Sequence, residues 1–147
     1  MEIAILGLGC FWGPEIKFSK LDGVVKTEVG YCGGNSSETT YKEVCTGTTN
    51  HAEVVKLDFD PKIISYEKIL KFFFEIHDPT TLNSQGPDFG TQYRSEIFYL
   101  NDQQKEISEQ VIKEENIKLS GKIVTKTSLV KNYCPAEEYH QKYLEKR

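Results

Sequence analysis

The spacing of apolar residues along the chain predicts five β-strands and four helices. Five stretches are either apolar throughout or apolar at every second position, which is typical of strands, and four others show helical spacing or helix-end signals. Consecutive strands with few crossovers predict a mixed sheet with helices packed on it, an α+β two-layer sandwich. The predicted strands are 3–8, 24–31, 51–59, 96–100 and 123–130, and the predicted helices are 15–21, 65–77, 101–119 and 136–147, with a further helical turn at 41–45.

The alternation also assigns the faces of two strands. In the third strand a carboxyl residue, Glu53, falls among apolar positions, where burial would raise its pKa and keep it protonated. A bulge or an edge position would instead turn Glu53 to solvent. The predicted apolar faces are Val25, Thr27, Val29 and Tyr31 in the second strand and Val55, Leu57 and Phe59, together with Glu53, in the third.

Several helix ends are marked by capping residues. Ser65 is a predicted N-cap, and Asn101 with Gln104 resembles a capping box. In the last helix acidic residues occupy the first turn and Lys146 and Arg147 the end, which suits the helix dipole. Residues 78–94 show no periodicity, and an irregular stretch of that length in a compact domain is usually functional.

The composition indicates an ordinary globular protein and narrows the classes of partner. With 147 residues, of which 38% are hydrophobic and 27% charged, we expect a single domain over 1–147. A net charge of −4 and a pI near 5.4 argue against a nucleic-acid or anionic-membrane partner. No stretch has the length of a membrane span and the N-terminus lacks a secretory pattern, so we expect a cytoplasmic protein.

One of the four cysteines stands out. Cys10, Cys32, Cys45 and Cys134 are scattered without a C-x-x-C pair, which argues against a zinc ribbon or a thioredoxin-type motif and favours free thiols. Cys10 lies between an apolar strand and Pro14, a residue suited to the first turn of a helix. A thiol at a helix N-terminus has a lowered pKa, so we expect Cys10 to be a nucleophile near neutral pH.

The aromatic residues beside Cys10 suggest a binding slot. Phe11 and Trp12, the only tryptophan of the chain, follow the cysteine directly and could wall a slot for a small apolar group. The alternative is a buried cysteine at the end of a strand, with both aromatic residues in the core. The flanking glycines, the proline and the paired aromatic residues favour a functional role.

Four further residues could complete a catalytic site. A protonated Glu53 near a thiolate is a plausible general acid. Tyr41 and Tyr93 fall in predicted loops, and their phenols could donate hydrogen bonds to an anionic or dipolar oxygen. Asp88 could accept a hydrogen bond from a substrate N–H, although aspartate at this position also suits a turn.

Six motifs, in order over nearly the whole chain, resemble the A-type peptide-methionine sulfoxide reductases. The resemblance implies an α+β sandwich with a central mixed sheet, no metal or organic cofactor, and reduction of methionine sulfoxide, free or in proteins. In that family the substrate is the S epimer, and the reductant is thioredoxin, a glutaredoxin or a small thiol. The motifs are residues 9–13 (GCFWG), 41–45 (YKEVC), 51–55 (HAEVV), 77–79 (HDP), 90–95 (GTQYRS) and 136–141 (AEEYHQ).

The resemblance also implies roles for the matching residues. Cys10 would attack the sulfoxide sulfur while Glu53 delivers a proton to the oxygen, and the product would be methionine with a sulfenic acid on Cys10. A thiol would then reduce the sulfenic acid. In the same way the resemblance gives Tyr41 and Tyr93 as hydrogen-bond donors to the oxygen, Phe11 and Trp12 as the wall for the terminal methyl group, and Asp88 as the contact to the substrate backbone.

The sequence leaves open how the sulfenic acid on Cys10 would be reduced back to the thiol. Many relatives carry resolving cysteines in a tail beyond the last helix, whereas this chain ends at Arg147. Recycling would use Cys32, Cys45 or Cys134, or an external thiol acting directly, and we expect direct recycling by a small thiol or a glutaredoxin-like partner. The simple alternative for all three cysteines is an unpaired, partly buried thiol.

Three competing functions remain consistent with the residues. A thiol peroxidase or redox sensor would use Cys10 without the aromatic slot, so replacing Trp12 would leave its activity largely intact. A non-catalytic binding module would have a structural Cys10 that is alkylated slowly. A Cys/His hydrolase would need a base such as His51, so His51→Ala would abolish activity while Glu53→Gln would be mild. The three histidines, His51, His77 and His140, show no metal-binding spacing.

Overall fold

A six-stranded mixed sheet forms the centre of the protein. The computed structural model describes residues 1–146. The strands are β1 Glu2–Leu8, β2 Val24–Cys32, β3 Ala52–Phe59, β4 Ser84–Gln85, β5 Asp88–Phe89, β6 Ser95–Tyr99, β7 Lys126–Leu129 and β8 Cys134–Pro135. The helices are α1 Trp12–Ser19, α2 Tyr41–Cys45, α3 Tyr66–Glu75 and α4 Asp102–Lys118, with short 3₁₀ turns at Thr91–Tyr93 and Glu138–His140.

The strand order places β1 and β3 in the middle of the sheet. The order is β7-β6-β1-β3-β2-β8, with β6 and β7 parallel and the other neighbours antiparallel. β4 and β5 form a separate hairpin within the stretch that the sequence predicts to be irregular. The predicted α+β class with a mixed central sheet is confirmed.

The larger part of the hydrophobic core lies on one face of this sheet. It combines side chains of the central strands with Phe18 of α1, Val111 of α4 and the buried face of α3. A smaller cluster on the other face contains Ile5, Cys32, Ala52, Val54 and Phe98. Residues that alternate along β1 and β3 therefore belong to opposite clusters, as a period of two requires. No helix among residues 1–146 is long and apolar enough to cross a membrane.

Capping at two helices follows the prediction closely. The side chain of Ser65 accepts from the N–H of Lys68 at the start of α3, and that of Asn101 accepts from the N–H of Gln104 at the start of α4. The Gln104 side chain does not complete a capping box, because it does not accept from the N–H of Asn101. It accepts from the N–H of Leu100 and donates to the carbonyl of Ile3 instead. It thereby ties α4 to the central strand β1.

The predicted apolar face of β2 is wrong at its first residue. The pairing of β2 with β3 shifts register between Val24 and Lys26, which marks a bulge, and Val25 is 62% exposed. Beyond the bulge Thr27, Val29 and Tyr31 are buried as predicted.

The predicted C-terminal helix is also wrong. Residues 136–146 form only the 3₁₀ turn and irregular backbone, with Lys142 in the left-handed region at φ 52°. The cause is tertiary: the Gln141 side chain bonds both backbone groups of Val29, and the Lys142 N–H donates to the buried carboxylate of Glu15. These contacts replace the helical ladder. The part of this prediction that concerns Arg147 lies outside the described residues.

Candidate active site

Cys10 lies in the tight link between β1 and α1. Gly9 adopts φ +101°, and a Cβ at this position would lie 2.7 Å from Cγ of Gln85, so both the turn and the close approach require glycine. Helix α1 begins two residues after the cysteine, and the N–H of Trp12 bonds the Cys10 sulfur. The half-buried thiol thus lies at a helix N-terminus, where the sequence predicts it.

The electrostatics of Cys10 differ from the prediction. Burial raises the pKa of the thiol to about 11, and the carboxylates of Glu53 and Asp88 add to the rise, while the Trp12 N–H opposes it. The expected lowering of the pKa is therefore wrong for the free protein, because loss of solvent outweighs one helix N–H group. In the resting state Cys10 is a protonated thiol.

Glu53 is buried beside Cys10, with only 1% of its surface exposed. It neither projects from a bulge nor turns to solvent. Oε1 accepts from the N–H of Phe11 at 3.2 Å, and Oε2 accepts from the side-chain amide of Gln92 at 3.3 Å. Burial raises the pKa of this carboxyl to about 7, against the lowering effect of the two hydrogen bonds. Glu53 therefore holds a proton over part of the neutral range and can transfer it.

The two tyrosines and Asp88 gather around the same carboxyl. Burial raises the pKa of Tyr93 to about 12, and the charges of Glu53 and Asp88 contribute. The pKa of Tyr41 is also raised, through burial, a hydrogen bond with the Cys45 thiol and the Glu53 charge. Both phenols therefore keep their protons and can act as donors. Asp88 lies at the turn of the β4–β5 hairpin, paired with Gln85.

The aromatic residues after Cys10 form a layered cluster with residues 136–146, the C-terminal segment. Trp12 stacks on Tyr143 at 3.9 Å between ring centroids, and its indole N–H donates to Nδ1 of His140 at 3.1 Å. The Tyr41 ring lies 4.6 Å from the His140 ring. Phe11 is 1% exposed and packs between Tyr31 and His140. Trp12, which is half-buried, thus lies on the outer side of this cluster, and Phe11 lies in the core.

Three residues of this site are missed when residues are considered singly. Gln92 links Glu53 to Cys45, His140 orients Trp12, and Glu137 accepts from the Tyr31 phenol at 2.7 Å and the Tyr41 N–H at 2.9 Å. Gln92 falls within the GTQYRS motif, and Glu137 and His140 within AEEYHQ, so the motifs are the signal that marks them. Their partners lie far away in the sequence.

The other histidines lie outside this cluster. His51 precedes β3, and its Nε2 contacts the carbonyl of Ser36 at 2.8 Å, which directs the ring to the 33–36 loop. His77 bonds the carbonyl of Phe73 at 2.5 Å and the hydroxyl of Ser95 at 2.7 Å. Neither position suits a base for Cys10. Within residues 1–146 no group of three or more His, Cys, Asp or Glu side chains is arranged to hold a metal ion.

The three other cysteines occupy different places. Cys32 is fully buried in the smaller cluster, across the sheet from Glu53, with its thiol on the carbonyl of Lys131. Cys134 lies on the edge strand β8, and its thiol contacts the carbonyl of Thr39. Cys45 ends α2 and accepts a hydrogen bond from Gln92 at 3.4 Å. Of the three thiols, only that of Cys45 has a hydrogen bond to a side chain that also bonds the Glu53 carboxyl.

Comparison with known proteins assigns this site to a family. The family profile described as peptide methionine sulfoxide reductase matches residues 2–147. A curated peptide methionine sulfoxide reductase MsrA of Pelagibacter ubique (strain HTCC1062) is 85% identical over 147 residues, which are 100% of both chains. The chain belongs to the peptide methionine sulfoxide reductase family. It is therefore an oxidoreductase that reduces methionine sulfoxide at the expense of thiols.

The solved structure of a yeast relative has the same fold as this protein. Mxr1 of Saccharomyces cerevisiae in its reduced form superposes with a TM-score of 0.95 at 43% identity, over 99% of this chain and 85% of that one. Mxr1 has also been solved in complex with Trx2, with a TM-score of 0.69 at 28% identity, over 97% of this chain and 84% of that one.

Proposed function

We propose that this reductase acts on the S epimer of methionine sulfoxide, free or in proteins, with Cys10 as nucleophile and Glu53 as general acid. The observation that carries the assignment is the buried Glu53 carboxyl, whose pKa is about 7 and whose Oε1 bonds the N–H of Phe11, the residue next to Cys10. A sulfoxide is a poor electrophile until its oxygen is protonated or strongly hydrogen-bonded. The Glu53 carboxyl, beside the thiol, can protonate the sulfoxide oxygen and so activate the sulfur for attack.

The chemistry balances with the groups present. The Cys10 sulfur attacks the sulfoxide sulfur, and Glu53 protonates the oxygen, while the phenols of Tyr41 and Tyr93 donate hydrogen bonds to it. The attack forms an S–S bond between Cys10 and the substrate. The hydroxyl then moves from the substrate sulfur to the Cys10 sulfur, so the substrate S–O bond and the S–S bond break and an S–O bond forms on Cys10. The substrate sulfur gains two electrons and the Cys10 sulfur loses two, which gives methionine and a sulfenic acid. The proton lost by the thiol restores Glu53.

The raised pKa of Cys10 fits this sequence of events. A resting thiol reacts only slowly with other electrophiles at neutral pH, and in the catalytic step its proton is released once Glu53 has given its own to a bound oxygen. Trp12 would contact the methyl group, with Phe11 behind it, and Asp88 would accept a hydrogen bond from the substrate N–H. Binding of substrate also displaces water from the site, which strengthens each of these contacts.

The electrons come from an external thiol. We propose a thioredoxin-type protein as reductant, since the yeast relative Mxr1 has been solved in complex with Trx2. A glutaredoxin or a small thiol is the alternative. The mechanism draws its electrons and protons from thiols and carboxyls, so it assigns no step to a metal or an organic cofactor, and no nucleic acid or membrane takes part.

We also propose that residues 1–147 act as one catalytic domain in the cytoplasm. The site draws on β1, α2, β3, the β4–β5 hairpin and the C-terminal segment, all packed around one sheet. Four unpaired cysteines and a catalytic cycle reset by thiols suit a reducing compartment.

Separate epimers of a blocked methionine sulfoxide test the proposal. With dithiothreitol as reductant, the protein should reduce the S epimer only, Cys10→Ser should abolish turnover, and Cys134→Ser should retain it. Equal action on both epimers would overturn the substrate assignment.

A second comparison separates the acid from a histidine base. Glu53→Gln should lower kcat strongly, by roughly 10²-fold or more as for other general acids. His51→Gln should have a small effect once correct folding has been checked by circular dichroism. The reverse order would favour a Cys/His mechanism.

A further inference from the structure

Cys45 is bound into the catalytic cluster by two side chains. The Gln92 amide nitrogen lies 3.4 Å from the Cys45 sulfur and 3.3 Å from Oε2 of Glu53, so the thiol and the carboxyl share one donor. The Tyr41 phenol also hydrogen-bonds the Cys45 thiol. Tyr41 and Cys45 are four residues apart in α2, which places them on the same face of the helix.

The position of Tyr93 connects the two thiols. The charges of both Cys45 and Cys10 contribute to the raised pKa of this phenol, after the larger effects of burial, Glu53 and Asp88. Tyr93 therefore lies within electrostatic range of both sulfurs. Cys45 is also exposed, so a reductant in solution can reach it.

The other two cysteines are separated from Cys10 by protein. Cys32 lies on the opposite face of the sheet in the smaller core cluster. Cys134 pairs with Tyr31, which itself pairs with Glu53, so Cys134 is two strands away from Glu53, about 10 Å by strand spacing. The buried Tyr31 side chain stands between them on the same face.

We propose that Cys45 resolves the sulfenic acid on Cys10 by forming a Cys10–Cys45 disulfide. The inference rests on the proposed function and adds to it a thiol that direct recycling would leave unused. The Cys45 sulfur attacks the Cys10 sulfur, an S–S bond forms and the S–O bond of the sulfenic acid breaks. The hydroxyl leaves as water with the thiol proton of Cys45. An external dithiol then reduces the disulfide and becomes a disulfide itself.

Helix α2 lies mostly on the surface. Of its five residues only Val44 is buried, and the Tyr41 N–H bond to Glu137 ties its first residue to the C-terminal segment. Gly47 follows the helix at φ +76°. A disulfide needs Cα atoms about 4.4–6.8 Å apart, and in this proposal α2, rather than the tight β1–α1 link that carries Cys10, moves to meet that distance.

A single turnover without reductant tests the inference. The reduced protein is mixed with one equivalent of S-sulfoxide, methionine is measured, and free thiols are counted. We expect two thiols lost per methionine formed, and a Cys10–Cys45 linked peptide in a non-reducing digest. In Cys45→Ser we expect one thiol lost per methionine and a dimedone adduct on Cys10, whereas the matched control Cys134→Ser should lose two.

The outcomes separate the inference from the proposed function. If wild-type protein forms no methionine, the function fails. If it forms methionine but loses one thiol and traps dimedone on Cys10, or links Cys10 to Cys32, Cys134 or a second chain, the role of Cys45 is overturned and the function stands. Cys45→Ala provides a second variant should the serine disturb α2, and the linked peptide of the wild type decides without either.

Discussion

At the scale of the residue, burial favours the neutral forms of both acids of the site, Cys10 throughout the neutral pH range and Glu53 below about pH 7. Burial raises the pKa of both Cys10 and Glu53. The negative charges of the Glu53 and Asp88 carboxylates raise the pKa of the Cys10 thiol further. Reactivity therefore depends on bound substrate rather than on a permanently ionised cysteine. For the same reason slow alkylation of the free protein is no sign of a non-catalytic binding module.

The reactivity of Cys10 towards iodoacetamide should follow this thiol pKa. With a pKa of about 11, alkylation of the Cys10 peptide should rise roughly tenfold per pH unit from pH 7 to 10. Glu53→Gln removes a charge that raises the pKa, so alkylation at pH 9 should become roughly three- to tenfold faster while turnover falls. Glu109→Gln, an exposed change in α4, is the control. A plateau in the wild-type rate near pH 7 would contradict the assignment.

Glu53 should also cost stability at alkaline pH. Its pKa is about 7 in the folded state and 4.5 in the reference state, so the stability it contributes is fully present below 4.5 and is lost as the pH rises through 7. Glu53→Gln should therefore raise the free energy of unfolding by up to about 3 kcal/mol at pH 8, with a smaller gain at pH 5. Urea titrations at both values measure this. An equal gain at both would show that ionisation is not the cause.

At the scale of the element, the sequence predicts structure that depends on nearby residues and does not predict structure that depends on contacts with distant ones. Ser65 and Asn101 cap their helices through residues three positions away, and Glu53 shares the alternation of its own strand. The C-terminal segment instead depends on Val29 and Glu15, more than 100 residues earlier. No pattern within the segment itself shows that its helix will be replaced.

The same limit applies to the site. Cys10 at the end of a strand and the apolar position of Glu53 follow from periodicity, whereas the motifs were needed to select Tyr41 and Tyr93, and the wider family resemblance to select Asp88. The sign of the Cys10 pKa shift could not be predicted, because it depends on how much solvent the fold removes. The Gln92 link between Glu53 and Cys45 joins residues 39 and 47 positions apart.

Gln141 is the side chain that fixes the C-terminal segment to the sheet. It accepts from the Val29 N–H at 2.9 Å and donates to the carbonyls of Val29 and Ala136 at 2.9 and 3.1 Å. Gln141→Ala should lower the free energy of unfolding by about 1–3 kcal/mol, because it leaves the N–H of Val29 in a core strand unpaired, while the Val29 carbonyl keeps the bond from the Ala136 N–H. Gln103→Ala on the exposed face of α4 is the matched control in urea unfolding. An equal loss of unfolding free energy in the two variants would show that the Gln141 side chain does not stabilise the fold.

At the scale of the whole molecule, buried polar groups add links between elements that also share the hydrophobic core. His77, at the end of α3, bonds the hydroxyl of Ser95 in β6, which in turn contacts Thr125 before β7. Arg94 and Glu96 form a buried ion pair at 2.6 Å on the same strand edge. These hydrogen bonds and this ion pair lie at the end of the sheet formed by β6 and β7.

His77 should make the fold sensitive to acid. Burial lowers its pKa to about 4 from 6.5, so its neutral form supports stability above pH 6.5, and that contribution is lost as the pH falls through 4. The loss amounts to about 3 kcal/mol. His77→Gln should be less stable at pH 7 but lose less stability between pH 7 and 4.5 than the wild type. Parallel pH profiles from urea unfolding would contradict this.

Trp12 gives the protein a built-in optical reporter. As the only tryptophan, stacked on Tyr143 and bonded to His140, it places all indole emission of the molecule beside the proposed substrate slot. Occupation of the slot, a shift of the C-terminal segment or a change in the charge of His140 would each alter the brightness or colour of that emission. Stopped-flow fluorescence on the unlabelled protein can thus time substrate entry separately from the chemistry at Cys10.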